Sequence, residues 1–309
     1  MKLQSFQHCL GFLVFGLLTG PPAPAQDLTR ELAPLGRLIV TNLASAPFPH
    51  PQRAQGHVYQ GQTYSAPAHY SDNTVLLFLP ARFRCTDPVD LVVHFHGWRN
   101  TAAGALKQFK LAEQLAASGR NAVLVIPQGP RNAPDSFGGK LEDAGGFARF
   151  LTEVLACLPA DAGARGSPPA PGRIILSGHS GGYQVISAIL ERGGLPDKIQ
   201  EVWLFDGLYA RTDRFLAWLE AHPAARFVNL YTDNGGTLEE TKTMMNRLET
   251  RRQSYYQNKD TAATAEDLLK HRRLFLHTNL GHNEVLDKRE AFRLLLSTSC
   301  LRPEPSATD

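Results

Sequence analysis

One short segment of the chain has the residue types of a nucleophilic site. Gly178-His179-Ser180-Gly181-Gly182 follows the apolar run Arg173–Leu176 and precedes a helical pattern. In a tight turn between a strand and a helix, glycines leave room for the neighbouring backbone, and the serine hydroxyl stands clear of the sheet. The first N–H groups of the next helix also point at any oxyanion that forms there. The pattern predicts that Ser180 is a nucleophile and that Gly181 is an oxyanion donor.

A serine nucleophile needs a base, and His282 is the best candidate for that role. It lies in Leu280-Gly281-His282-Asn283-Glu284, just past the last predicted strand. The chain order would then be nucleophile, acid and histidine, as in enzymes with this kind of turn. We therefore predict that His282 is the general base. His277 lies within the strand itself and is expected to pack.

Two aspartates compete for the group that orients the imidazole. Asp206 follows the predicted strand Glu201–Phe205, and Asp233 follows Arg226–Thr232. The second strand is the more usual supplier of the acid, but Asp-Asn-Gly is also typical of a turn that caps a helix. Asp206 has apolar neighbours, where a carboxylate needs a partner. The sequence favours Asp206 and leaves Asp233 as the alternative acid.

A second oxyanion donor is expected from His96-Gly97-Trp98, which follows the buried strand ending at Phe95. The Trp98 N–H is the predicted donor. We interpret His96, Gly97, Trp98 and His179 as candidate substrate-contacting residues, and His179 is also expected to hydrogen-bond locally. Metal binding by His94 and His96 is the competing interpretation. Because no third ligand with zinc-like spacing lies nearby, neither a metal nor another cofactor is expected.

Strands and helices alternate over most of the chain, which predicts an α/β fold. The predicted buried strands are 91–95, 121–127, 173–176, 201–205, 226–232 and 274–278, and helical patterns such as 101–118 and 142–158 lie between them. This alternation predicts a mostly parallel sheet with helices on both faces and an active site at the carboxyl ends of the strands. Towards the N-terminus, 27–50 is expected to wrap the domain, and 57–70 to pair antiparallel with 74–80.

The first 25 residues have the pattern of a cleavable export signal. Lys2 is followed by the apolar run Leu10–Leu18 and then by the small residues of Ala23-Pro24-Ala25. The run is too short to be a transmembrane anchor. The sequence therefore predicts a periplasmic or secreted protein, with residues 1–25 as the signal and 26–309 as a single domain.

Composition bounds the possible partners and the disulfides. The 309 residues are 43% hydrophobic and carry a net charge of only +3, so nucleic acid is not expected as a partner. After loss of the signal, Cys85, Cys157 and Cys300 remain. Three thiols in an oxidising compartment allow at most one internal disulfide, and the sequence does not choose the pair.

The polar stretch Leu238–Arg273 has two possible interpretations. Its many charges favour a solvated helical face, whereas a partial lid over the cleft is the alternative. The loop Gly129–Lys140 is a further candidate for shaping the pocket.

These residues together resemble the α/β-hydrolase superfamily from about Thr74 to Leu301. Within it, the chain looks most like secreted feruloyl esterases and polyhydroxyalkanoate depolymerases. In those proteins a strand that ends in proline is followed by an acidic-acidic-x-Gly-Phe helix start. Here Pro127 is followed by Glu142-Asp143-Ala144-Gly145-Gly146-Phe147, while Phe137-Gly138-Gly139 replaces the tryptophan of the intervening loop.

The function expected from these patterns is that of a secreted serine hydrolase of the carboxylesterase type. It would cleave a small-molecule or polymeric ester through an acyl-enzyme. A peptidase or amidase with the same triad is one alternative, since only the leaving group differs. A catalytically silent binding protein with the hydrolase fold is the other.

Overall fold

A mixed sheet of nine strands forms the centre of the computed structural model, which describes residues 23–159 and 167–305. The strands of the chain are β1 (Gly36–Asn42), β2 (His57–Tyr59), β3 (Gln62–Tyr64), β4 (Thr74–Pro80), β5 (Val89–Phe95), β6 (Ala122–Pro127), β7 (Pro171–His179), β8 (Ile199–Phe205), β9 (Arg226–Thr232), β10 (Tyr256–Lys259) and β11 (Arg273–Thr278). The sheet order is β1-β4-β6-β5-β7-β8-β9-β11-β10, and β2 and β3 form a separate hairpin. Only the β1–β4 and β4–β6 pairs are antiparallel within the sheet.

Helices cover both faces of this sheet. They are α1 (Ala23–Leu32), α2 (Ala66–His69), α3 (Ala102–Gln108), α4 (Leu111–Ala116), α5 (Gly146–Ala156), α6 (Tyr183–Arg192), α7 (Thr212–Ala221), α8 (Leu238–Thr250), α9 (Ala265–Lys270) and α10 (Ala291–Ser297). Neighbouring side chains of a strand point to opposite faces, so Val92 packs in one apolar cluster and Leu91 and Val93 pack in the other. The predicted α/β class, with a mostly parallel sheet between helices, is confirmed.

The N-terminal part of the sheet differs from the prediction. Strand β4 pairs with β1, over seven residue pairs from Gly36–Pro80 to Asn42–Thr74, and not with 57–70. Among the residues that the structure describes, those of 57–64 form strand pairs only with one another, in the β2–β3 hairpin. Six of the seven β4 residues are buried, so this strand needs a hydrogen-bonding neighbour along each edge. The missed strand lies in the segment expected to wrap the domain.

Two predicted helices have different bounds in the structure. The predicted helix 101–118 is divided into α3 and α4, because Lys110 adopts a left-handed conformation with φ of +49°. The next predicted helix begins at Gly146 rather than at Glu142, which ends a short 3-10 turn.

The lid hypothesis for residues 238–273 does not agree with the structure. Helix α8 buries Met244, Met245 and Leu248 against the core, and β10 extends the sheet parallel to β11. This segment therefore completes one side of the scaffold, and its exposed helix face is the solvated face of the other interpretation.

Two remaining predictions concern the cysteines and the N-terminal segment. Cys157 and Cys300 are free thiols, so none of the three possible pairs among Cys85, Cys157 and Cys300 is bridged. Most of the predicted signal, residues 1–22, lies outside the described residues. Among the helices that the structure does describe, none is long and apolar enough to cross a membrane.

Candidate active site

Ser180 occupies a strained turn at the carboxyl end of the central strand. It comes directly after β7, and its φ of +52° lies in the left-handed region, which costs free energy for a residue with a side chain. The loop after β5 packs against this turn so closely that a Cβ at Gly97 would lie 2.6 Å from Ser180 Cβ. Glycine is therefore required at position 97, because no side chain fits between the loop and the serine.

His282 is held by a buried carboxylate. Its Nδ1 donates a 2.6 Å hydrogen bond to Oδ2 of Asp206, whose side chain is fully buried just after β8. Asp206 also accepts hydrogen bonds from the Thr232 N–H, the Thr232 hydroxyl and the Thr237 hydroxyl. Burial raises the pKa of Asp206, but the hydrogen bonds from His282, Thr237 and Thr232 outweigh it and hold the pKa below its usual value. Asp206 is therefore an anion that fixes the imidazole.

The alternative acid, Asp233, is not placed to bind His282. Its Oδ1 lies 2.9 Å from Nε2 of His277, the strand histidine that was expected to pack. The cause is the register of neighbouring strands, because β9 and β11 pair in parallel with Tyr231 opposite His277. A carboxylate at the end of β9 therefore meets the histidine at the end of β11, and the loop after β11 carries His282 across to Asp206.

The Asp-Asn-Gly-Gly turn after β9 covers the acid. A Cβ at Gly235 would lie 1.7 Å from Oδ2 of Asp206, so only glycine allows this close approach. The Tyr209 hydroxyl donates a 2.6 Å hydrogen bond to the Gly235 carbonyl and holds the turn in place. Burial, together with the charge of Asp206, raises the pKa of Tyr209 to about 12, although a hydrogen bond with Ser180 opposes this rise. Tyr209 is therefore a neutral donor.

His96 acts on the loop backbone and does not face the main cavity, which corrects its prediction as a substrate-contacting residue. Its Nδ1 donates a 2.8 Å hydrogen bond to the Gly97 carbonyl, and its Nε2 accepts one of 3.1 Å from the Gly129 N–H. Since a carbonyl and the following N–H point in opposite directions across a planar peptide, this contact orients the Trp98 N–H. That N–H makes no hydrogen bond within the described part of the chain, as an oxyanion donor requires.

His179 lies between the turn and the histidine loop. Its Nε2 donates a 2.9 Å hydrogen bond to the backbone carbonyl of His282, and the two rings are 4.6 Å apart. Burial, together with the neighbouring His282, lowers the pKa of His179 to about 4. A neutral imidazole at this position supports the loop that presents His282, in agreement with the expected local hydrogen bond.

Both nitrogens of His96 and Nδ1 of His94 are directed to protein partners, whereas Nε2 of His94 is buried without a hydrogen bond in the described structure. Nδ1 of His94 lies 2.9 Å from the Ser177 hydroxyl, and His96 holds the loop described above. Among residues 23–159 and 167–305, no group of three or more side chains is arranged to hold a metal ion.

Ser180, His282 and Trp98 all line one open cavity of about 750 Å³. The residues that line it are Trp98, Arg99, Asn100, Gln108, Ser136, His179, Ser180, Gly181, Tyr183, Tyr209, His282 and Asn283. No residue of 238–273 is among them, whereas Ser136 comes from the loop 129–140 that was predicted to shape the pocket. Trp98, 43% exposed, donates from Nε1 to the Ser136 hydroxyl over 2.7 Å and packs edge-on against Tyr59.

Several lining residues were missed by the sequence analysis. Tyr183 directly follows the glycine-rich turn, and Tyr209 lies three residues after Asp206, so their closeness to predicted residues was the available signal. Arg99 and Asn100 likewise follow Trp98. Ser136 belongs to the loop 129–140 that was predicted to shape the pocket, whereas Gln108 carried no comparable signal because it reaches the cavity only through the packing of α3.

Comparison with solved structures identifies the fold. A feruloyl esterase module from Clostridium thermocellum complexed with sinapinate matches with a TM-score of 0.51 and 11% identity over 85% of this chain and 88% of that chain. A ferulic acid esterase matches with a TM-score of 0.53 and 12% identity, and S-formylglutathione hydrolase from Staphylococcus aureus with 0.52 and 10%, each over 85% of this chain and 98% of the other. The chain has the α/β-hydrolase fold. Neither a protein family model nor a curated protein sequence matches it.

In this α/β-hydrolase fold, the site lies where the fold places binding clefts. Ser180 follows the central strand β7, and Asp206 and His282 follow β8 and β11 at the same end of the sheet. At 10–12% identity these likenesses establish the fold alone. Substrate and chemistry must be argued from the site itself.

Proposed function

We propose that the protein is a serine carboxylesterase that uses Ser180, His282 and Asp206 through an acyl-enzyme. The observation that carries this proposal is the arrangement of one cavity, which Ser180 and His282 both line and in which His282 is held by a buried aspartate at 2.6 Å. A binding protein has no use for a strained serine beside an imidazole with a fixed tautomer. The esterase neighbours add support, at the level of the fold.

In the proposed first step, Ser180 Oγ attacks the ester carbonyl carbon while Nε2 of His282 takes the hydroxyl proton. The negative charge that develops on the carbonyl oxygen is stabilised by the N–H groups of Trp98 and Gly181. Asp206 stabilises the imidazolium through the hydrogen bond from Nδ1. When the bond to the alcohol breaks, His282 returns the proton to the leaving oxygen, and the acyl group stays on Ser180.

Water then releases the acyl group by the same route. His282 removes a proton from the water as its oxygen attacks the acyl carbonyl, and it protonates Ser180 Oγ as the second tetrahedral intermediate collapses. The products are a carboxylic acid and an alcohol. We further propose that this reaction takes place outside the cytoplasm, on the basis of the signal pattern in residues 1–25.

Labelling with a fluorophosphonate probe tests whether the protein is a serine hydrolase. The parent chain should form a covalent adduct at Ser180, and Ser180→Ala should form none. Ser71→Ala, which removes an exposed hydroxyl from a loop outside the cavity, is the matched control and should be labelled at the parental rate. If the parent fails to react, or if Ser180→Ala reacts equally well, the proposed nucleophile is wrong.

A matched ester and amide of the same acid then test the reaction class. The ester should be hydrolysed much faster, because an alcohol leaves more readily than an amine. Equal or faster cleavage of the amide would assign the site to a peptidase or amidase. Intact mass spectrometry of the acylated enzyme at early times checks the covalent intermediate.

A further inference from the structure

Arg99 lines the cavity and, unlike Arg53 and Arg131 of neighbouring segments, lacks an acidic partner. Arg53 is paired with Asp135 at 2.7 Å, and Arg131 lies 3.4 Å from Asp72. The exposed guanidinium of Arg99 forms neither an ion pair nor a hydrogen bond within the described ranges of the chain. None of the lining residues in that part of the protein is an aspartate or a glutamate. Arg99 therefore carries a positive charge that no carboxylate among the described lining residues neutralises.

The backbone holds this arginine next to the reacting group. Arg99 adopts a left-handed conformation with φ of +55°, and its N–H donates a 2.9 Å hydrogen bond to the Ala133 carbonyl. The Asn132 N–H in turn donates to the carbonyl of Asn100 over 3.0 Å. The residue before Arg99 is Trp98, whose N–H is the proposed oxyanion donor. Arg99 therefore directly follows the proposed oxyanion donor in the chain and lines the same cavity as Ser180.

Polar side chains lead from the loop that carries Arg99 towards His282. Nδ2 of Asn100 donates a 3.2 Å hydrogen bond to Oε1 of Gln108. Gln108 precedes Phe109, whose ring lies 4.8 Å from that of His179, the histidine that holds the His282 carbonyl. Asn283 follows His282 directly and also lines the cavity. Since His282 protonates the leaving oxygen, the alcohol portion of an ester must lie next to His282, at the end of this row of polar side chains.

We propose that Arg99 binds an anionic group, a carboxylate, on the alcohol portion of the ester substrate. A guanidinium offers parallel N–H donors that match a carboxylate, and the amides of Asn100, Gln108 and Asn283 offer further donors to the same group. This inference rests on the proposed esterase function. It assigns a substrate class, in which the released alcohol is itself an acid.

Two pairs of esters test the proposal. 4-Acetoxybenzoate and 4-acetoxybenzamide have leaving groups of nearly the same size and differ in charge. The ratio of their kcat/KM values should favour the anionic ester in the parent, and Arg99→Gln should lower that ratio about tenfold or more, since charge-assisted hydrogen bonds are lost. Arg37→Gln removes the same charge from the remote edge strand β1 and should keep the parental ratio. High salt should lower the ratio in the parent but not in Arg99→Gln.

A second pair of esters tests whether Arg99 binds the alcohol portion or the acyl portion of the substrate. Phenyl hydrogen succinate and its succinamate carry the same difference on the acyl side, where Arg99→Gln should change the ratio little. An equal or larger change in this pair, or an unchanged ratio in the first pair, would overturn the proposal. Calorimetric titration with 4-hydroxybenzoate and 4-hydroxybenzamide gives a readout that needs no turnover. If neither ester is cleaved, the esterase function fails, but weaker binding of 4-hydroxybenzoate by Arg99→Gln would still support the anion site.

Discussion

Strand β8 has a buried carboxylate near each end, and the two differ in their partners. At the amino end, Glu201 lies 2.7 Å from Nε of Arg226, and it also accepts hydrogen bonds from the Trp203 indole and the Cys300 N–H. At the carboxyl end, Asp206 accepts hydrogen bonds from His282 and from the threonines described above. Both carboxylates are buried and saturated with donors, so burial alone does not distinguish a structural acid from a functional one.

The difference lies in whether the partner can exchange a proton. Arg226 keeps its charge at any physiological pH and also donates to the carbonyls of Leu268 and Thr298, so the Glu201 end joins β8 to the C-terminal part of the chain. An imidazole gains and loses a proton near neutral pH. The Asp206 end therefore holds a group that can take part in chemistry, and one side of that imidazole stays open to the cavity.

The largest expected effect tests the functional end of the strand. Asp206→Asn keeps the shape of the side chain but removes the charge that stabilises the imidazolium and fixes its tautomer. We expect kcat to fall by about 10⁴ with an ester substrate, as when a triad aspartate is neutralised. Asp233→Asn is the matched control and should retain parental kcat, because that carboxylate contacts His277. Small and equal losses in both variants would show that Asp206 is not the acid.

The second prediction tests the structural end. Arg226→Met leaves Glu201 buried without its cation and should lower the free energy of unfolding by about 3–5 kcal/mol. The kcat of the folded fraction should change little, because this pair lies at the end of the sheet away from Ser180. Chemical denaturation measures the first effect and active-site titration the second. The exposed pair of Lys242 and Glu239 provides the control, since Lys242→Met should cost less than about 1 kcal/mol.

The third prediction concerns the acid sensitivity of the functional end. The pKa of His179 falls from 6.5 to about 4 in the folded protein. As the pH drops through this interval, the unfolded chain binds a proton at His179 and the folded chain does not, so stability decreases. Between pH 6.5 and pH 4, the free energy of unfolding of His179→Gln should therefore fall by up to about 3 kcal/mol less than that of the parent. Urea unfolding at several pH values checks it, and parallel curves for parent and variant would contradict it.

The smallest expected effect concerns a single hydrogen bond to Asp206. Thr237→Val removes the hydroxyl that bonds to Oδ1, which should lower kcat about tenfold, the equivalent of one hydrogen bond. Because that bond favours the charged form, its loss raises the pKa of Asp206, so activity should decline at a higher pH on the acid side. Thr241→Val removes another fully buried hydroxyl, bonded to Asn229, and should leave the pH profile unchanged.

The local spacing of residues was sufficient to predict much of the fold and to select a candidate nucleophile and base. The alternation of apolar runs with helical patterns predicted an α/β fold with a mostly parallel sheet, because each buried strand and each amphipathic helix has its own period, and the resemblance of the motifs implied the α/β-hydrolase form of it. Ser180 and His282 became candidates for a related reason. Each lies in a short glycine-bearing turn directly after a strand, and parallel strands bring such turns to the same end of a sheet.

Contacts between distant segments could not be predicted from local spacing. The sequence left Asp206 and Asp233 as competitors, since both follow strands of the same sheet. Only the tertiary structure shows the loop after β11 passing Asp233 to reach Asp206, with Gly235 leaving space for the acid. Three other features could not be predicted from local spacing either. Strand β1 pairs with β4, the His96 side chain turns into its own loop, and the charge of Arg99 is unpaired. A periodic pattern determines which face of an element is buried, whereas the partner of a polar side chain depends on which other segments fold against it.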